Sequence, residues 1–206
     1  MSRPVGEVRP FPGHDAPLPV PARLASAVEH LDWVDSSAGF VGPVADAVSA
    51  GAIGSVLRGD PIGHAAHPML TDLPIGFWTS AVTLDLCMGR RSRREVMLLL
   101  ALGNACAVPT TLTGIVEWRS TDPPESRVGS VHAVANAVGA VCFAGAFCAH
   151  WSRRRGTAAA LELAGTAATT FAGILGGHLA TVRKVGTRDP AYLTDGIGPE
   201  LSRPNG

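Results

Sequence analysis

Four of the seven histidines stand at the ends of long apolar segments, and they are the side chains in this sequence best suited to chemistry. Two of them head the stretch GHAAHPMLTDLPIGFWTSAVTLDLCM, and the other two open or close later segments; the four are His64, His67, His132 and His178. A neutral imidazole nitrogen binds haem iron and divalent transition metals. What these residues do therefore depends on whether the fold brings them together.

The composition around them predicts a membrane protein. Hydrophobic residues make up 46% of the chain and charged residues 17%, the mean hydropathy is +0.22, and the charges lie in short blocks between long uncharged runs. The four cysteines lie in or at the end of apolar runs without a CxxC pair, which argues against a disulfide framework and against an iron–sulfur cluster. We expect no nucleic-acid partner.

The pattern along the chain divides it into four regions. Residues 1–22 are rich in proline and predict a disordered tail, and residues 189–206 predict a second short tail. Between 23 and 60, apolar residues recur at near-helical spacing. This spacing predicts two short amphipathic helices, separated by the GFVGP stretch, that lie on the membrane surface or cap a bundle. Residues 61–188 form the predicted transmembrane domain.

Four apolar segments in that domain are long enough to be membrane spans. Each has the roughly twenty residues that a helix rising about 1.5 Å per residue needs to cross a hydrocarbon core of about 30 Å. The predicted spans are Pro68–Met88, Val96–Val116, Val131–Trp151 and Thr157–Val182. Because the connections are short, neighbouring spans should be antiparallel. The predicted fold is therefore all-α, an integral membrane up-down four-helix bundle with short N-terminal amphipathic helices.

The distribution of arginine predicts the orientation of this bundle. The loops at 89–95 and 151–156 together hold seven arginines, whereas the intervening loop at 117–130 holds two. The positive-inside rule places the arginine-rich loops in the cytoplasm. We therefore expect a multi-pass protein of the plasma (inner) membrane with four spans and both termini outside.

Helix direction then places the four histidines at one membrane face. The first and third spans start at this face and the second and fourth end there, so Glu117 joins the histidines. Asp72 lies about one turn below His67, and Asn136 lies one turn below His132. The Asp72 carboxylate could therefore orient the His67 imidazole, and the Asn136 amide could orient that of His132. Three other polar residues lie toward the arginine-rich face: Asp85, His150 and Glu162. We expect the two carboxylates there to pair with arginines or to lie at the headgroup level.

Imidazoles on facing helices of a membrane bundle have three explanations. The leading one is haem b, held through two of the four histidines and used in electron transfer. The second is a divalent transition metal bound by His67, His132 and His178, with Asp72 or Glu117 as oxygen ligand or general base. The third is a non-catalytic membrane scaffold or accessory subunit of a redox complex, in which these side chains tie helix ends together without a cofactor. We do not expect the chain to be an enzyme by itself.

Three motifs make the sequence resemble a known family. GHAAHPMLTDLPIG opens the first span, HAVANAVG opens the third, and GGHL closes the fourth. They resemble a family of bacterial four-helix integral membrane proteins of unknown function, whose pattern is GHPxHPMLxDxPIG with a later GGHL. The resemblance covers about residues 50–190 and extends to His64, His67, Pro68, Asp72, Pro74, His132, Gly177 and His178.

What the resemblance implies is a membrane protein linked to electron transfer, since members are often fused to or encoded near Rieske-type iron–sulfur domains. This chain departs from the pattern at two points: Ala65 stands where the family usually has proline, and residues 189–206 contain no cysteine. A redox partner is therefore expected to be a separate chain, such as a Rieske-type protein. The other expected partners are the lipid bilayer and, in an oligomer, further copies of the chain.

Overall fold

The computed structural model describes residues 19–187, except for the side chains of residues 36–41 and 90. All regular structure in this range is helical, which confirms the all-α prediction. The α-helices of the range are α1 (Val20–Glu29), α2 (Ala38–Ser49), α3 (Gly51–Arg58), α4 (Ala66–Met88), α5 (Arg93–Trp118), α6 (Pro123–Trp151) and α7 (Arg155–Thr181). Short 3-10 turns lie at Asp32–Ser37, Asp60–Ile62 and Gly89–Ser92. The predicted tails lie outside the described residues, apart from residues 19–22, where α1 begins.

The N-terminal region forms three short α-helices rather than the two predicted, and the break lies at a different place. Helix α2 continues through the GFVGP stretch and ends at Ser49. Helix α3 begins at Gly51, whose φ of 60° is a left-handed conformation that glycine adopts without steric penalty. The turn is tight, because a Cβ atom on Gly54 would lie 2.0 Å from the carbonyl oxygen of Ser49. The glycine at 51, rather than the proline-containing stretch, therefore separates the helices.

Three helices in the described part of the chain have the length and apolar composition of membrane spans: α5, α6 and α7. Helices α5 and α6 contain the second and third predicted spans, and α7 covers the fourth except for its last residue, Val182. Helix α4, which contains the first, is 23 residues long but less apolar, because it carries Asp72, Asp85 and several threonines. The helices also extend beyond the apolar segments, since α6 begins at Pro123 rather than at Val131. Hydropathy marks the apolar part of each helix and leaves its polar ends out.

The four long helices pack side by side with alternating direction. Helix α4 packs against α5, α5 against α6, α6 against α7, and α7 against α4. His67 at the start of α4 contacts Thr110 near the end of α5, and His132 near the start of α6 contacts Ala172 near the end of α7. The two hairpins are therefore antiparallel. We call the end with His67 and His132 the histidine end, and the opposite end, with the arginine-rich linkers, the arginine end.

Aromatic stacking between α4 and α6 fills the core between the two ends. Trp78 stacks on Phe143 with ring centroids 4.6 Å apart and an interplanar angle of 17°. Gly103 of α5 makes room for this stack, because a Cβ atom there would lie 2.5 Å from the Trp78 ring. The buried residues around the stack are Ala81, Val82, Val96, Leu100 and Ala146. This cluster fixes α4, α5 and α6 against one another and so fixes the positions of the polar groups at both ends.

Helix α1 packs across α6 and α7 at the histidine end. Its Ala25 is buried against Val128 of α6 and Leu175 of α7. Ion pairs hold the turn that follows α1, where Arg127 of α6 lies 2.7 Å from Asp32 and 2.8 Å from Asp35. The N-terminal helix therefore caps the histidine end of the long helices.

Candidate functional site

The His67 imidazole lies in the first turn of α4 and is fixed by α5. Its Nδ1 atom lies 2.9 Å from the backbone carbonyl oxygen of Thr110 and 3.4 Å from the hydroxyl of Thr113. The ring packs on the α5 backbone at Gly114, where a Cβ atom would lie 2.8 Å from the Cε1 atom of His67. A carbonyl oxygen can only accept a hydrogen bond, so Nδ1 carries the proton and Nε2 keeps its lone pair.

A proline in α4 explains why Thr110 contacts this helix. Pro74 has no N–H, so the carbonyl oxygen of Leu70 loses its helical donor. The hydroxyl of Thr110 lies 3.1 Å from that oxygen and 2.8 Å from the carbonyl oxygen of Cys106 in its own helix. Thr110 therefore links α5 to α4 twice, through its hydroxyl to Leu70 and through its carbonyl to His67.

The His132 imidazole repeats this arrangement between α6 and α7. Its Nδ1 atom lies 2.8 Å from the carbonyl oxygen of Ala172, and a Cβ atom on Gly176 would lie 2.9 Å from its Cε1 atom. Nδ1 is again the protonated nitrogen, for the same reason as in His67. The amide nitrogen of Asn136, one turn later in α6, lies 3.0 Å from Nε2 and donates to its lone pair.

The two imidazoles lie next to each other, and we call them the histidine pair. Their ring centroids are 6.2 Å apart and their planes are inclined by 83°. Each ring has its Nδ1 atom fixed on a backbone carbonyl, which is how proteins commonly orient a histidine that binds a metal through Nε2. Among the residues that the structure describes, none hydrogen-bonds to Nε2 of His67.

The other two predicted histidines are not part of this pair. His64 is exposed in the linker before α4. His178 contacts α1 instead, with its Nε2 atom 2.6 Å from Oε1 of Glu29. Within residues 19–187, no group of three metal-ligating side chains includes any of the four histidines. The structure therefore brings His67 and His132 together and places the other two elsewhere.

Glu29 determines the orientation of His178. Its two carboxylate oxygens both accept hydrogen bonds from the Arg183 guanidinium, and one of them also pairs with His178. Burial alone would raise the pKa of the Glu29 carboxyl, but the hydrogen bonds from Arg183 and His178 outweigh burial and hold this pKa below its ordinary value. The carboxylate in turn raises the pKa of Arg183. His178 thus belongs to the polar contact that joins α1 to α7.

The two predicted carboxylate partners lie in different surroundings. Asp72 is exposed on α4 and makes no hydrogen bond with the described residues, and the backbone of Thr110 holds His67 instead. Glu117 is half-buried near the end of α5. A Cβ atom on Gly186 would lie 3.4 Å from its Oε2 atom, so Glu117 lies beside the turn that follows α7.

A second cluster of ionisable side chains lies buried at the arginine end. Asp85 of α4, His150 of α6 and Glu162 of α7 are 2%, 3% and 1% exposed, and we call them the buried triad. One ligating atom from each lies within 4.8 Å of the others, and Nε2 of His150 lies 2.7 Å from Oε1 of Glu162. We expected these carboxylates to pair with arginines or to lie at the headgroup level. The structure buries both, and Glu162 contacts His150 directly while the charge of Arg155 acts on it without a close contact.

The sequence does contain a signal for this triad. The alternating direction of the helices, which groups the four histidines at one end, also places Asp85, His150 and Glu162 together at the other end. Ionisable residues inside apolar helices are functional candidates. In the sequence, the arginine-rich loops lie close to Asp85 and Glu162, and arginines are the usual partners of carboxylates. In the structure, however, Arg93 donates to the backbone carbonyl of His150 at 2.7 Å, and Arg155 lies 3.5 Å from the backbone carbonyl oxygen of Asp85.

Comparison with known families shows what the chain is related to. A family model described as predicted membrane protein (DUF2231) matches residues 63–189. The chain belongs to this family. The match confirms the resemblance carried by the GHAAHPMLTDLPIG and GGHL motifs, and it contains α4 to α7 with both the histidine pair and the buried triad. No curated protein and no solved structure matches the chain. The chemistry of this DUF2231 protein is therefore argued from its own residues.

Proposed function

We propose that this DUF2231 protein is a four-span protein of the plasma membrane that binds haem b through His67 and His132 and serves in electron transfer. A divalent transition metal is the alternative ligand at the same pair. The proposal rests on the orientation and the hydrogen bonds of the two imidazoles. They come from different helices, each has Nδ1–H on a backbone carbonyl, and each has its Nε2 lone pair directed away from that carbonyl. A b-type haem takes two such nitrogens as axial ligands.

The spacing of the pair suits two ligands on opposite sides of one iron. With a metal–nitrogen distance of about 2.0 Å, two imidazoles on opposite sides of an ion have ring centroids about 6 Å apart. The centroid distance in the structure is 6.2 Å. Binding requires Asn136 to release Nε2 of His132, which breaks one hydrogen bond. His67 and His132 would hold the iron, and Thr110 and Ala172 would orient them through their carbonyl oxygens.

Apolar space for a macrocycle lies close to the pair. A groove of about 410 Å³ runs between α4, α6 and α7, and neither His67 nor His132 lines it. Its lining combines apolar residues with four threonines: Ile75, Trp78, Phe143, Gly173, Ile174, Thr79, Thr166, Thr169 and Thr170. Gly173 directly follows Ala172, whose carbonyl holds His132. Cofactor sites are typically concave and mostly apolar with a few fixed polar groups, and this groove has that character. A bound haem would supply one-electron transfer, and His67 and His132 would hold its iron.

The exposed surface of α4 supports a fourth span. Its 23 residues extend about 34 Å at about 1.5 Å per residue, which is enough to cross a hydrocarbon core of about 30 Å. Large apolar side chains are exposed toward both ends of the helix: Met69, Leu73, Ile75, Leu86 and Met88. An apolar surface of this extent is typical of contact with lipid. With α4 in the membrane, the four long helices form an up-down bundle.

The arginine-rich linkers support an orientation with the histidine end outside. Lys and Arg accumulate in cytoplasmic loops, so the linkers at 89–92 and 152–154 are assigned to the cytoplasm. A haem at the histidine end would then exchange electrons with a partner on the outer face. The family resemblance makes a separate Rieske-type protein the first candidate for that partner.

A non-catalytic scaffold is the second candidate function, and one observation favours it. His67 joins α4 to α5 and His132 joins α6 to α7, so the pair connects all four long helices without any cofactor. In this case the protein would be an accessory subunit of a redox complex. A well-folded protein that copurifies with a redox partner and contains no haem or metal would favour this function over the first.

Alanine variants separate the two functions. His67→Ala and His132→Ala should each abolish haem retention without preventing membrane insertion, measured as the haem absorbance per protein after purification in detergent. His178→Ala is the matched control, because it removes an imidazole at the same end that contacts Glu29 rather than the pair. It should retain haem. Full haem content in both His67→Ala and His132→Ala would exclude the pair as ligands.

A further inference from the structure

We propose that the buried triad of Asp85, His150 and Glu162 binds one divalent transition-metal ion at the arginine end. This site does not depend on the haem proposed for the histidine pair. The three side chains come from α4, α6 and α7, so an ion here would cross-link three of the four long helices. Their ligating atoms already lie within 4.8 Å of one another.

The ligating atoms of the buried triad are close to the spacing that one ion requires. With metal–ligand distances of about 2.0–2.2 Å, the ligating atoms around one ion lie about 3–4 Å apart. His150 and Glu162 are closer than this, at 2.7 Å, and Asp85 completes the group within 4.8 Å. An ion would separate the first two atoms slightly and draw the Asp85 carboxylate inward.

The carboxylate of Asp85 points to a missing ligand. It is 2% exposed, yet no hydrogen-bond partner for it exists among the described side chains and backbone groups. Arg93 and Arg155 contact backbone carbonyl oxygens, and the Arg155 charge also acts on Glu162 without forming an ion pair within 4.0 Å. Buried carboxylates are normally paired with a cation or coordinate a metal. One dication would neutralise the charges of Asp85 and Glu162 together.

The donor set identifies the class of ion. One imidazole nitrogen with two carboxylate oxygens suits Zn²⁺, Mn²⁺, Fe²⁺ or Co²⁺, whereas Ca²⁺ and Mg²⁺ favour oxygen ligands alone. Binding through Nε2 of His150 displaces the proton that this nitrogen shares with Glu162, so that proton is released to solvent. Three protein ligands leave a further coordination position for water or another small ligand.

Cobalt titration tests the proposal. The full chain is purified in detergent, stripped with a chelator and titrated with Co²⁺, whose visible absorption reports low-coordinate binding. We expect the wild type to bind one ion per chain. Asp85→Asn and Glu162→Gln should each bind it at least about tenfold more weakly, because losing even a residue that only supports a metal ligand costs about that much affinity. Glu125→Gln is the matched control, because it neutralises another buried glutamate, at the histidine end. It should bind Co²⁺ like the wild type.

Two further measurements make the result unambiguous. Helical circular dichroism and monodisperse elution establish that each variant is folded, and the two conservative variants provide independent tests. His132→Ala should keep the Co²⁺ site even though it loses haem, so failure of either proposal leaves the other open to test. Wild-type affinity in folded Glu162→Gln, or no Co²⁺ binding by folded wild-type protein, would overturn the inference. Loss of the signal in His67→Ala, with the triad variants unaffected, would place the ion at the histidine pair and also overturn it.

Discussion

Replacing Glu29 by glutamine should release α1 from the long helices. The carboxylate accepts hydrogen bonds from Arg183 and pairs with His178, and it joins α1 to α7 through them. Glutamine keeps the size of the side chain but removes its charge, which leaves Arg183 with Glu125 at 3.5 Å. Breaking a buried ion pair costs about 3–5 kcal/mol, and we expect about 3 kcal/mol because Glu125 remains as a partner.

Amide hydrogen exchange in residues 20–29 measures this release. A loss of about 3 kcal/mol in the local opening free energy corresponds to roughly 100-fold faster exchange of these amides, if α1 opens as a unit. Asp46→Asn is the control, because it removes an ion pair with Arg119 that lies on the surface. The side chains of Asp46 and Arg119 are 61% and 53% exposed, and an exposed pair contributes at most about 1 kcal/mol. Unchanged exchange of α1 in Glu29→Gln would refute the assignment of Glu29 as the residue that holds α1.

The remaining predictions concern pH and the packing of the histidines. The pKa of Glu29 is lowered from its ordinary 4.5 in the folded state, so its stabilising effect is complete above pH 4.5 and is lost as the pH falls through the folded pKa. The opening free energy of α1, obtained from exchange rates corrected for the intrinsic exchange rate at each pH, should therefore fall in acid in wild type and much less in Glu29→Gln. Gly176→Ala should displace His132 and weaken haem binding by about fivefold to 150-fold in a spectroscopic titration, which is the overpacking cost of about 1–3 kcal/mol expressed as affinity. Gly177→Ala, with no atom within 4 Å of its new Cβ, should not weaken it. Thr110→Val should lower stability by about 1 kcal/mol in thermal unfolding and keep haem, because it removes a hydroxyl donor and keeps the carbonyl that holds His67.

Apolar runs predicted most of the fold, because a membrane-spanning helix is specified by length and hydropathy. Helices α5, α6 and α7 cover three of the predicted spans except for one residue at the end of α7, and they satisfy both criteria. Hydropathy was less informative for the ends, where polar residues continue the helix, as at Pro123 in α6. It also could not show that the break before α3 lies at Gly51, since that position depends on one glycine with positive φ.

The sequence predicted where each site residue lies along its helix axis. It did not predict which face of the helix the residue occupies. Asn136 is four residues after His132 and lies on the same helix face, so the contact between them follows from spacing. Asp72 is five residues after His67, which turns it by about 140° at about 100° per residue, so it points away from the imidazole. The partner of His67 came instead from another helix, through a backbone carbonyl that no side-chain pattern reveals.

His178 and the buried triad show the same limit. His178 lies at the predicted end of α7, but its partner Glu29 belongs to a peripheral helix whose docking is a tertiary event. Glu162 and His150 are twelve residues apart across a helical hairpin, and their pairing depends on how α6 and α7 face each other. Haem binding, the redox partner and the orientation in the membrane stay predictions.

The visible absorption spectrum of the detergent-purified wild-type protein, from cells supplied with haem precursor, tests directly whether the histidine pair binds haem b. We expect a Soret band and, after dithionite reduction, the sharp α and β bands of a low-spin b-type haem with two histidine ligands. A featureless spectrum from well-folded protein would exclude haem b from this site.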